Sequence, residues 1–252
     1  MDKTLLKFFI SAISIAWFWW IQILLGLWPS KLQLIPSTLG GLSPILSVWM
    51  IDHFSDSDNL KVIMDSVKEW RNVIPLLILA AIIFPLLNIA SKLVSLTLSI
   101  PVLILEPEPA KLGIYLIVIV PLTFFSGLIT SPLLEEPAWR GYALPRLQAE
   151  YGASIASLIL GSYWWIWHQM MNLAFGVKPT LFQYCSMLGQ SFIIDTLYLS
   201  SKRVILVAMF AHQSLFIMLT YFEDPLNLRS QFIYLSILWL TVFFLRKYPI
   251  PQ

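Results

Sequence analysis

The residues of this chain best suited to chemistry are two adjacent carboxylates and a guanidinium, in Glu135-Glu136-Pro137-Ala138-Trp139-Arg140. On a helix Glu136 and Arg140 stand at i and i+4, the favoured order for an ion pair. In a low-dielectric site that pair holds Glu136 ionised and structurally engaged. Glu135 points about 100° further round the helix and lacks that partner, so it is the carboxylate expected to serve as a general base. Two more polar clusters stand in apolar surroundings: Trp164-Trp165-Ile166-Trp167-His168 with Asn172 one turn on, and His212-Gln213-Ser214. Together they offer one carboxylate and two imidazoles, enough to activate a water molecule. Glu135, His168 and His212 would suit a metal with three protein ligands and an open fourth position, Zn2+ or another divalent ion. Glu135 and His168 can also polarise water without metal. The chain holds no H-E-x-x-H sequence, and its single cysteine, Cys185, excludes an intrachain disulfide and any cysteine-based zinc cage.

The elements that must carry these residues are membrane-spanning helices. Of 252 residues, 58% are hydrophobic and 12% charged, and the mean hydropathy is +0.77. A soluble domain averages roughly 25% charged residues, so lipid must solvate part of this surface. A net charge of +2 with no basic tract excludes a nucleic-acid partner. Windows near 5–28, 32–51, 73–91, 112–134, 153–175, 181–200, 204–222 and 230–246 reach the roughly 20 apolar residues that a span needs. The fold class expected is all-α, a polytopic transmembrane bundle of about eight spans. The first window, behind Lys3 and Lys7, reads as a retained span. The second holds Pro36, Gly40, Gly41 and Pro44 and reads as broken or tilted. Residues 52–71 alternate Asp56, Asp58, Lys61, Asp65, Lys68 and Glu69 with Leu60, Ile63, Met64 and Val67, the pattern of an amphipathic helix on the membrane surface. His53 falls there and reads as surface. A linker is expected over 92–111, where Glu106-Pro107-Glu108-Pro109 cannot be helical throughout. The chain divides into N-terminal spans with the surface segment (1–111), a core carrying the polar motifs (112–222) and a last span (223–252).

Basic residues orient the bundle. With eight spans, Lys3, Lys7, Lys61, Lys68, Arg71, Arg140, Arg146, Lys202, Arg203, Arg246 and Lys247 fall on one side, against Lys31, Lys92, Lys111, Lys178 and Arg229. The richer side is cytoplasmic, so both termini are expected there.

Depth links the motifs. The chain must reverse near Glu150-Tyr151-Gly152, the one polar break between the fourth and fifth windows. Glu135 and His168 lie equally far from that turn, roughly 24 Å along a helix on each side. His212 lies roughly 14 Å from the Lys202-Arg203 turn. Ionisable groups at such depth cost at least ~2.5 kcal/mol each and are functional candidates by default. Asp195, alone in the sixth window, has no basic residue nearby in sequence and is left unassigned.

These motifs resemble those of the CPBP intramembrane protease family, also called the CAAX protease and bacteriocin-processing, or Abi, family. Its paired glutamates with a following arginine are matched by Glu135, Glu136 and Arg140, and Gly141, Leu144 and Leu147 look like its continuation. Its aromatic residue four before a histidine is matched by Trp164 and His168. Its histidine with asparagine four later is matched by His212, but Phe216 stands in the asparagine's place. The resemblance covers roughly 112–222. It implies that Glu135 and His168 activate water and that Glu136 and Arg140 orient the first motif. It further implies that His212 stabilises the oxyanion or ligates a metal. With Phe216 unable to donate, Asn172, Gln213 or Ser214 is the candidate substitute donor. Trp164, with Trp165 and Trp167, reads as packing or as part of a substrate pocket.

The expected activity is that of an intramembrane endopeptidase, a metallo- or glutamate-type hydrolase acting in contact with lipid on a peptide or lipidated-protein substrate, such as a prenylated CAAX-type C-terminus. Two alternatives come from other classes. One is a non-catalytic scaffold or bacteriocin-immunity-type protein of the same fold. The other is a transporter in which Glu135, Arg140 and the histidines relay protons, against which the lack of internal repeats speaks.

Overall fold

A computed structural model describes residues 2–105, 107–222 and 228–248. Among them there is helix and no strand. In chain order the helices are α1 (Lys3–Leu24), α2 (Leu34–Gly41), α3 (Ser43–Ser55) and α4 (Asn59–Asp65), then α5 (Ile74–Thr97), α6 (Pro107–Ala110) and α7 (Leu116–Gly127). They continue as α8 (Ser131–Glu136), a π-helical turn (Pro137–Ala143), α9 (Leu144–Ala174), α10 (Leu181–Ser200), α11 (Ile205–Tyr221) and α12 (Leu228–Lys247). Among the described residues four helical stretches are long and apolar enough to cross a membrane: Lys3–Leu24, Asn59–Thr97, Gly113–Ala174 and Leu228–Lys247. A fifth is the pair Ser30–Gly41 and Ser43–Ser55, bent by 42° at the glycine-rich break expected from the sequence. The protein is an integral membrane protein built of helices. α10, with Gln183, Ser186, Gln190, Ser191 and Asp195, is too polar to join these spans by composition. Those from Ser186 onward are buried, so the helix turns its polar side inward.

The stretch Gly113–Ala174 has 62 residues, roughly 93 Å if helical throughout, about three times the hydrocarbon thickness. It folds back at Gly152, whose φ of 77° and ψ of 168° interrupt α9. That conformation is open to glycine and closed to residues with a Cβ, and it falls in the Glu150–Gly152 break where the sequence places the reversal.

The chain forms two packing units. The first comprises 1–67 and 133–192, the second 68–132 and 193–252. In the first, α1 presents Leu5, Phe8, Phe9, Ala12, Ala16, Trp20 and Ile23 at helical spacing, all buried, and packs on α9, α2 and α3. Its indoles also tie elements together by hydrogen bonds: Trp17 Nε1 to the Trp167 carbonyl at 3.2 Å and Trp20 Nε1 to the Ser37 carbonyl at 3.2 Å. Trp167 in turn donates to Ser43 Oγ at 2.9 Å.

In the second unit α5 packs on α11 and α12, and α7 on α11. Two sequence expectations change here. Lys92 is a buried helical residue, not a linker charge, because α5 runs on to Thr97. Its ammonium donates to the carbonyl of Phe222, the cap of α11, where a cation satisfies the helix's last acceptors. The neighbouring polar groups bond back to their own helix, Ser91 Oγ to the Asn88 carbonyl and Ser95 Oγ to the Ser91 carbonyl. Asp195 also has a basic neighbour after all: the charge of Arg246, far along the chain on α12, acts on it. The Glu106-Pro107 linker starts at a residue outside the described ones; Pro107–Ala110 form one helical turn.

The amphipathic segment is shorter than its pattern suggests. Asp52 belongs to α3 and accepts hydrogen bonds from Ser57 Oγ at 2.9 Å, Asn59 Nδ2 at 2.6 Å and the Leu60 N–H at 2.8 Å. These bonds pull 56–58 into a tight turn with Asp56 at φ 49°, so helix resumes only at Asn59 and passes into 3-10 turns over Ser66–Val73. His53 is exposed and stacks on Trp49 at 5.5 Å.

Candidate active site

Glu135, Glu136 and Arg140 occupy the end of α8 and the π turn, all buried. Two prolines explain the wide turn. Pro137 and Pro145 lack an N–H, so the carbonyls four residues before each lose their α-helical donor. A one-turn π bulge accommodates this, and such bulges recur at functional sites. The expected ion pair forms: Arg140 Nη1 donates to Glu136 Oε1 at 3.0 Å, with both side chains fully excluded from the surface. The other arm, Nη2, donates to Ser191 Oγ at 2.8 Å. The guanidinium also lies 4.9 Å from the centre of the Trp164 ring, a cation–π contact strengthened by desolvation.

Glu135 has the partner that helix geometry alone did not reveal. Trp164 Nε1 donates to Glu135 Oε2 at 2.8 Å. Trp164 is only 2% exposed, so its indole is committed to this carboxylate and to Arg140. The contact joins Glu135 to the residue one turn nearer the Gly152 reversal than His168. The depth match was drawn for straight α-helices, and a π turn advances the chain less per residue.

Trp164 also orients His168. The histidine's Nδ1 lies 2.8 Å from the Trp164 carbonyl. A carbonyl only accepts, so Nδ1 carries the proton, and in its neutral form the ring has its lone pair on Nε2. The ring stands edge-on to Trp164 at 5.3 Å and perpendicular to Trp167 at 4.6 Å. This is the tautomer that a base or a metal ligand requires at Nε2. Asn172, one turn further on, is half-buried, and its side-chain amide makes no hydrogen bond among the described residues.

In the second unit His212 is buried and stacks on Phe216, ring centres 5.3 Å apart and 7° from parallel. Phe216 therefore fills the asparagine's position with a ring that fixes the imidazole by packing. Gln213 Nε2 donates to the Thr123 carbonyl at 3.2 Å, and Ser214 Oγ to the Ala211 carbonyl at 2.8 Å. Both of these candidate donors are thus already engaged.

Among the described residues, no three His, Cys, Asp or Glu side chains gather closely enough to hold a metal ion. Sequence reasoning missed Ser191, which no motif marks. Its signal was weak: a serine on a helix whose polar residues recur on one side.

One tryptophan, Trp164, thus holds a buried carboxylate through its indole and an imidazole through its carbonyl, on the two arms of a membrane helix hairpin. Residues 116–218 match the family described as type II CAAX prenyl endopeptidase Rce1-like. A CAAX prenyl protease 2 of Methanococcus maripaludis is 29% identical over a 105-residue alignment that covers 37% of this chain and 37% of that protein. The chain thus spans little more than a third of that relative's length. These matches fall on the segment that holds Glu135, Arg140, Trp164, His168 and His212, where the sequence resembles the CPBP intramembrane protease family.

Proposed function

We propose that this protein is an intramembrane endopeptidase that hydrolyses a peptide bond of a membrane-associated, CAAX-type prenylated substrate. The observation that carries the reading is that one residue, Trp164, holds both reacting groups, Glu135 through its indole N–H and His168 through its carbonyl. Glu135 takes a proton from water as the oxygen attacks the scissile carbonyl. His168, with its lone pair on Nε2, orients that water. The tetrahedral oxyanion is stabilised by His212, as the resemblance implies, and by the uncommitted amide of Asn172. Glu135 then passes its proton to the departing amine. Glu136 and Arg140 form the buried brace that keeps Trp164 in place, and burial strengthens each of these electrostatic contacts. In this reading Trp164 positions Glu135 and has little surface left for substrate. Both termini are assigned to the cytoplasm by the positive-inside bias, which stands at ten basic residues against four once the buried helical Lys92 and Arg140 are left out.

A fluorogenic isoprenylated peptide given to the purified protein tests the reading. Cleavage by the wild type, abolished in Glu135→Ala and in His168→Ala, is the expected result. No cleavage across a panel of prenylated and unmodified peptides, or full cleavage by Glu135→Ala, would overturn it. Phe216, stacked on His212 where the family has asparagine, favours a second reading, a non-catalytic member with this fold, and that outcome would support it.

A further inference from the structure

Asn59 sits at the centre of a hydrogen-bond chain that ends on the π turn. Its Nδ2 donates to Asp52 Oδ1 at 2.6 Å and to Ser57 Oγ at 3.0 Å, and its Oδ1 accepts from Arg146 Nη2 at 2.8 Å. The other arm of Arg146 donates to the Tyr142 carbonyl at 2.8 Å, and its guanidinium lies 3.8 Å from the centre of the Tyr142 ring. One turn along α4, Ile63 occupies the space beside Gly141. A Cβ on Gly141 would lie 2.5 Å from Ile63 Cγ2 and 3.1 Å from its Cγ1 and Cδ1. Because Ile63 is β-branched, that methyl cannot swing away freely. The short surface helix thus grips the wide turn at two points, from the side through Ile63 and at its end through Arg146.

The turn carries Arg140, which is linked to the reacting groups. Arg140 precedes Gly141 directly and holds Glu136, Ser191 and the Trp164 ring, and Trp164 holds Glu135. A π turn lacks the tight register of an α-helix, so something outside it must fix its position.

We propose that Asn59 and Ile63 are positioning residues: α4 acts as a strut that sets the register of the π turn, and so the placement of Arg140, Trp164 and the Glu135 carboxylate. Gly141 is glycine because the strut passes there. The kinetic half of this inference rests on the endopeptidase reading; the structural half does not.

The test uses full-length protein in detergent, with two readouts. In peptide hydrolysis, Gly141→Ala is expected to lower kcat on the order of a hundredfold, the cost of a displaced catalytic geometry, with little change in KM. Ile63→Ala in the same chain is expected to restore most of the rate by reopening the space. In amide hydrogen exchange, Asn59→Ala is expected to speed exchange over 137–146 while leaving α1 as protected as in the wild type. Failure of Ile63→Ala to rescue Gly141→Ala, or unchanged exchange over 137–146 in Asn59→Ala, would overturn the strut. Absent hydrolysis in the wild type with the exchange effect intact would instead remove only the endopeptidase reading.

Discussion

The indole N–H of Trp164 donates to the carboxylate of Glu135 at 2.8 Å, with both side chains buried. This bond restricts the acid to one orientation and consumes one of its lone pairs. Trp164→Phe keeps the ring and the contact with Arg140 but deletes the donor. An unpaired buried acceptor costs ~1–3 kcal/mol, so the variant should melt earlier and lose kcat by roughly 10- to 100-fold by the same energy. KM should move little, because the ring that packs is retained. A kcat equal to wild type in steady-state hydrolysis would show that the bond has no part in placing Glu135.

Arg140 is used as a fork. One arm reaches Glu136, the other Ser191, and the plane faces Trp164. Lysine keeps the charge but cannot serve two acceptors and a ring face at once. Arg140→Lys is therefore expected to behave as a broken network, destabilised by at least ~1–3 kcal/mol through the orphaned partner. Ser191→Ala, which removes one neutral acceptor, should cost less. Denaturant or thermal unfolding in one detergent ranks the two, and equal stability of Arg140→Lys and wild type would contradict the fork.

Much of this was legible in the sequence, for reasons that differ between elements. The ion pair of Glu136 with Arg140 follows from i,i+4 spacing, which survives the widened turn. The reversal at Gly152 and the bend between α2 and α3 are written in glycine and proline, whose backbone limits are local. Trp164's hold on Glu135 was not readable, because it depends on which way a long side chain reaches across a hairpin. Ser191 and Arg246 lay beyond reach for the same reason: each partner is some 50 residues from the group it meets. Lys92 was misplaced because a lysine after an apolar run reads as the end of a span, and the carbonyl that receives it comes from another helix.

Gly152 makes a separable prediction. At φ 77° and ψ 168° a Cβ is strained, at ~1–3 kcal/mol for such a conformation. Gly152→Ala should lower the unfolding midpoint and raise proteolysis at the turn, while any catalysis by properly folded protein keeps its KM. A midpoint unchanged in Gly152→Ala would mean that the reversal is made elsewhere.

The vacant asparagine position calls for a different oxyanion donor. Gln213 and Ser214 are committed to the carbonyls of Thr123 and Ala211, whereas the Asn172 amide, one turn from His168, makes no hydrogen bond among the described residues. Loss of one oxyanion donor costs ~10²–10³ in rate, so Asn172→Ala should lower kcat by about that much, with Gln213→Ala acting mainly on stability. The reverse ranking, Gln213→Ala abolishing hydrolysis while Asn172→Ala retains it, would move the donor to α11.

Metal dependence divides the two forms of the proposed chemistry. Water activated by Glu135 and His168 alone needs no ion. Dialysis against 1,10-phenanthroline and EDTA should therefore leave the hydrolytic rate unchanged, and elemental analysis of active protein should find less than one zinc per chain. Loss of activity that added Zn2+ restores would reverse this. Glu135, His168 and His212 would then be ligands, and metal content should fall in His212→Ala in step with the rate. A rate that falls in His212→Ala at constant metal content instead assigns that ring to the oxyanion.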